Sequence, residues 1–105
     1  MNQTSAFDDL LAANRDYAHN FTLAGVPGVA GAGVFVLTCM DSRIDPLTIL
    51  GLSAGDAKVV RNPGGRVDGQ ALEAMVLGVH LLAVERVLVI VHTRCAMSSS
   101  TQQQV

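Results

Sequence analysis

The chain has 105 residues, half of them hydrophobic and 15% charged, with a formal net charge of −2. That length sets a single domain, and so apolar a composition excludes a disordered chain. Seven basic residues against nine acidic ones, with Lys58 the only lysine, give neither a nucleic-acid footprint nor a polybasic membrane patch.

Residues 5–21 place Phe7, Leu10, Leu11, Asn14, Tyr17, Ala18 and Phe21 at three-and-four spacing, which predicts an amphipathic helix. Thr4 or Ser5 is expected to cap it, and Asp8 and Asp9 suit its positive end. A breaker-rich loop, residues 25–33, leads into 34–38 (VFVLT), an apolar β-rich run expected to be a strand buried on both faces. Pro46 suits the first turn of a short helix over 46–50, closed by Gly51. A second short strand is predicted over 57–60, followed by the turn-rich 61–65 (RNPGG). Asp68 is expected to cap a long apolar helix over 69–83. Residues 86–91 (RVLVIV) read as a third buried strand, and 98–105 as a frayed polar tail. Strands alternating with helices predict an α/β fold, a central parallel sheet of three strands flanked by helices.

No apolar run reaches the roughly 18 residues of a membrane span; the longest candidate, 71–90, is broken by Glu73, His80, Glu85 and Arg86. The N-terminus has neither the positive region nor the apolar core of a signal peptide, so a cytoplasmic location is expected. There, two cysteines read as ligands or reactive thiols rather than a disulfide. With 4% aromatic residues and no tryptophan, Ala, Val, Leu and Gly must pack the core, which suits helices lying close on a sheet. Met40, Met75 and Met97 are expected to fill gaps in it.

Cys39 follows the first strand, His92 follows the third, and Cys95 comes three residues later. The carboxyl ends of parallel strands are where open α/β sheets bind ligands. Two thiolates and an imidazole are zinc chemistry, and three protein ligands leave a fourth position open, as in catalytic sites. The competing interpretation is two buried structural cysteines and a loop histidine. Asp41 and Arg43 can pair within a tight loop and fix the carboxylate; alternatively they are an ordinary loop ion pair. The glycines of 61–66 suit an anion or simply the turn. His19 and His80 read as structural. Ser42 has no histidine placed to activate it, and no dinucleotide-binding glycine motif follows a strand.

Cys39-x-Asp41-Ser42-Arg43, Arg61-Asn62-x-Gly64 and His92-x-x-Cys95, in that order and spacing, resemble the β-class carbonic anhydrases over residues 5–97. The resemblance implies one zinc ion per chain held by Cys39, His92 and Cys95, with Asp41 and Arg43 as the catalytic pair and Arg61 and Gly64 near the substrate. It implies reversible hydration of carbon dioxide to bicarbonate and a proton by hydroxide on zinc, and a homodimer or larger homo-oligomer embraced by the N-terminal helix. It also implies that strand one is central and strand three an open edge. Arg94 and Ala96 stand where the family commonly has aspartate and glycine, and Pro63 stands in place of alanine. Family members continue for several more elements, so the domain, residues 1–105, is expected to be incomplete at its C-terminus. Three other readings share these residues: carbonyl sulfide or carbon disulfide hydrolysis, a silent zinc-binding fragment acting through protein contacts, and a redox protein using Cys39 and Cys95.

Overall fold

The computed structural model describes residues 6–96. Six elements follow one another: α1 (Asp8–His19), β1 (Val34–Cys39), α2 (Pro46–Ile49), β2 (Ala57–Asn62), α3 (Gly69–Leu81) and β3 (Arg86–Ile90). The strands form one parallel sheet in the order β2-β1-β3, the α/β arrangement that the alternation of helices and strands predicts. Each expected element is present with shifted ends. β2 runs two residues further than expected, and Cys39 is the last residue of β1, paired with Asn62, rather than the first residue after it.

Local chemistry sets the helix starts. The Asp68 carboxylate accepts the Ala71 N–H at 2.7 Å, capping α3 as expected. Asp45 caps α2, accepting from the Thr48 hydroxyl at 2.8 Å, and Pro46 occupies its first turn. In α1 the residue before the helix is Phe7, with no side-chain cap. Thr4 and Ser5, the caps expected there, lie outside the described residues, as do Met97 and the 98–105 tail.

The core sits on β1, whose six residues are all buried. Phe35 and Leu37 pack with Ala30, Ala71 and Val84, flanked by Val60, Ala74 and Met75. α3 reaches the sheet through Gly78: a Cβ there would lie 3.0 Å from Val84 and 3.4 Å from Phe35, so a larger residue would push the helix away.

Two expectations are corrected, for β3 and for Met40. β3, expected to be buried on both faces, is exposed: Val87, Leu88 and Val89 keep 41–43% of their surface. Among the described residues it pairs on one edge only, with β1, and no described element covers what its composition would bury. No residue of α1 is buried either; its apolar stripe faces outward, which agrees with a helix expected to lie against a partner. Met40 fills no gap, because it lies in the loop beyond β1 and is 62% exposed.

Candidate metal centre

Parallel register brings the carboxyl ends of the three strands side by side. Thr38 pairs with Arg61 on one side and Ile90 on the other. Its buried hydroxyl donates to the Ile90 carbonyl at 3.1 Å, tying the ends of β1 and β3. Beyond these ends the ligand atoms of Cys39, His92 and Cys95 all lie within 4.8 Å of one another. The two sulfurs are 3.6 Å apart, and both cysteines are buried thiols outside any disulfide.

The histidine is presented for coordination. Its Nδ1 lies 2.8 Å from the Thr93 carbonyl; a carbonyl only accepts, so Nδ1 carries the proton and Nε2 the lone pair. Nε2 is buried with no hydrogen-bond partner, an arrangement that costs free energy unless something fills it. Two thiolates and one such imidazole fit tetrahedral zinc with one position left open.

The surroundings favour the thiolate. The Cys39 thiol is lowered to about 6, first by the facing His92 imidazole and then by main-chain N–H groups, against burial, which raises it. His92 is raised in return, chiefly by Cys39. Because Nε2 makes no formed hydrogen bond, this pairing is one of proximity. The Gly64 N–H points at the Cys39 sulfur at 3.3 Å.

Asp41 is fixed by Arg43 through a two-pronged pair. Nε donates to Oδ1 at 2.9 Å and Nη2 to Oδ2 at 2.6 Å, while the Arg43 main-chain N–H adds a third bond to Oδ1 at 2.9 Å. These bonds, the side-chain ones first, hold the Asp41 carboxyl well below the usual carboxylate range. The Asp41 side chain is 12% exposed against 62% for Arg43, and its Oδ2 stands 3.8 Å from His92 Nε2. Arg61 reaches the same loop from β2, donating to the Cys39 carbonyl at 2.9 Å and the Asp41 carbonyl at 2.7 Å. Cys39, Met40, Asp41, Pro63, Cys95 and Ala96 line the cleft.

The structure therefore gathers Cys39, His92, Cys95, Asp41, Arg43, Arg61 and Gly64 at one end of the sheet. Sequence reading missed two supports. Asn62 accepts the Arg66 N–H at 2.8 Å and donates to the Arg66 carbonyl at 2.6 Å, pinning the turn that carries Gly64. Asparagine ahead of Pro-Gly-Gly was the available signal. Gly65, at φ +64°, lies so close that a Cβ would stand 3.0 Å from Cys39 N, Thr38 C and Ile90 O. A pair of glycines signals a turn, but not which backbone it touches.

A family model for carbonic anhydrase matches residues 34–105. Beta-carbonic anhydrase 1 of Mycobacterium tuberculosis is 33% identical over 94 residues, covering 90% of this chain and 57% of that protein. A carbon disulfide hydrolase of Acidianus sp. is 33% identical over 98 residues, 93% of this chain and 47% of that protein. Among solved structures, the carbonic anhydrase of Streptococcus mutans superposes with a TM-score of 0.86 at 34% identity, covering 95% of this chain and 60% of that one. The chain thus spans 47–60% of the length of these relatives. Matched in sequence across most of its length and in the fold that carries the Cys-His-Cys cluster, the chain belongs to the carbonic anhydrase family, in its β class.

Proposed function

We propose that residues 1–105 form one domain that holds a single zinc ion through Cys39, His92 and Cys95 and catalyses the reversible hydration of carbon dioxide to bicarbonate and a proton. The observation that carries this reading is the buried, unpartnered His92 Nε2, converging with two thiols within 4.8 Å. Zinc in such a set supplies a Lewis acid that makes hydroxide available near neutral pH. Two thiolates offset its charge, so much of the catalysis falls to positioning by the protein.

Asp41 is the acceptor. Arg43 keeps it ionised and engages both of its oxygens, which holds the carboxylate in place beside the ligand cluster and fixes the direction in which it accepts a hydrogen bond. Arg61 braces the carbonyls on either side of Met40, so the loop from Cys39 to Asp41 stays rigid. Met40, Pro63 and Ala96 give the cleft an apolar wall, suited to a small apolar substrate.

Stopped-flow hydration by the zinc-loaded chain tests this. Asp41→Asn is expected to retain zinc and lose about 10²-fold in kcat, the scale of a lost proton acceptor. An unchanged kcat across neutral and alkaline pH would refute the role. Carbon disulfide hydrolysis is the second reading, favoured by the Acidianus relative; parallel assays with both substrates on one preparation separate the two.

The outward apolar stripe of α1, with Phe7, Leu10, Leu11 and Tyr17 all at least half exposed, supports a homodimer or larger assembly. No described helix is long and apolar enough to cross a membrane.

A further inference from the structure

Among the described residues two non-glycine residues have positive φ: Ala83, between α3 and β3, and Arg94, at φ +56° between the histidine and the second cysteine of the metal loop. A residue with a Cβ adopts this left-handed conformation only where its surroundings hold it. What holds Arg94 is visible. Its carbonyl accepts from Arg43 Nη2 at 3.2 Å, and the same Nη2 donates to Asp41 Oδ2 at 2.6 Å. One guanidinium therefore joins the loop after β1 to the loop after β3, 51 residues away in the chain. The Arg94 side chain takes no part in the joint.

We infer that the main chain of Arg94 is a positioning element: its left-handed turn delivers a carbonyl to Arg43, so that the loop holding two metal ligands and the carboxylate of Asp41 are set by a single side chain. The inference rests on the zinc reading above and deepens it. Metal bound at His92 and Cys95 fixes the Arg94 carbonyl, hence Arg43, hence Asp41. By reciprocity, loss of the Arg43 bridge weakens metal binding.

The consequence is specific to backbone conformation. Arg94→Gly accepts positive φ without strain and keeps the carbonyl, whereas Arg94→Val opposes it through its branched Cβ. Zinc affinity of the 105-residue chain, measured by chelator competition, is expected to fall about tenfold or more in Arg94→Val, the scale of a lost outer contact. Arg94→Gly is expected to stay within about twofold of the parent. In an Arg43→Met background the Val and Gly variants should converge, because the carbonyl no longer has a side-chain donor at position 43 to meet. A Val-to-Gly difference that persists undiminished in that background overturns the inference, since the turn would then act on Cys95 directly.

Hydrogen exchange of residues 92–96 in the metal-free chain needs no Arg94 variant and covers the case in which Arg94→Val does not fold. Arg43→Met, which removes the donor, should speed exchange there severalfold, and unchanged exchange overturns the inference. A parent chain that binds no zinc would defeat the zinc reading alone, because the exchange comparison tests the bridge without metal.

Discussion

β1 and β3 are nearly interchangeable as sequences, VFVLTC and RVLVI, yet they occupy opposite environments. Every residue of β1 is buried to 6% exposure or less, whereas the three central residues of β3 remain 41–43% exposed. The apolar composition states how much each strand gains from burial; the neighbours decide whether it is gained. β1 has a strand on each edge and α3 across one face, and β3 has β1 alone among the described residues. The candidate metal centre straddles this divide, taking Cys39 from the end of the buried strand and His92 and Cys95 from the loop beyond the exposed one. One wall of the site is anchored in the core, and the other depends on what holds the loop.

The largest effect should come from the buried strand. Phe35→Ala removes a fully buried ring and is expected to cost about 3–5 kcal/mol of unfolding free energy, read by denaturant titration. Gly65→Ala should follow at about 2–3 kcal/mol, because the new methyl meets backbone on three sides at a left-handed position. It should also weaken zinc binding, since it moves the ends of both strands. Leu88→Ala, on the exposed strand, should cost only about 1 kcal/mol. A value near that of Phe35→Ala would show that β3 is covered in solution.

The smallest effect is in the acid limb. The Asp41 carboxyl is held well below its unfolded value, which lies near 4. Its contribution to stability is therefore complete above about pH 4 and is lost as the pH falls toward its folded value. Asp41→Asn should flatten the stability profile below pH 4 and leave its shape at neutral pH unchanged; an equally steep acid limb in the variant would place the titration elsewhere.

The fold was legible because its signals are local. The VFVLT run, Pro46 at a helix start and Asp68 at another act within a few residues of themselves. The grouping of Cys39, His92 and Cys95 was legible for a related reason: parallel strands oblige residues after their carboxyl ends to meet. Composition alone did not disclose the exposed faces of β3, because an apolar run looks the same whether or not anything lies against it; its open edge followed only from the family resemblance. Nor were Gly65 and the Arg94 carbonyl legible, since both act through backbone contacts with distant segments. Arg94 read as a change of side-chain charge, and its structural part is played by its main chain.

The most direct test of the account is the zinc content of the purified 105-residue chain beside that of Cys39→Ser and His92→Ala, each checked by circular dichroism for intact secondary structure. One zinc per parent chain and nearly none in either folded variant is the predicted result, because the ion needs ligands from both the buried and the exposed side of the sheet. Stoichiometric zinc in either variant, or none in the folded parent, would contradict it.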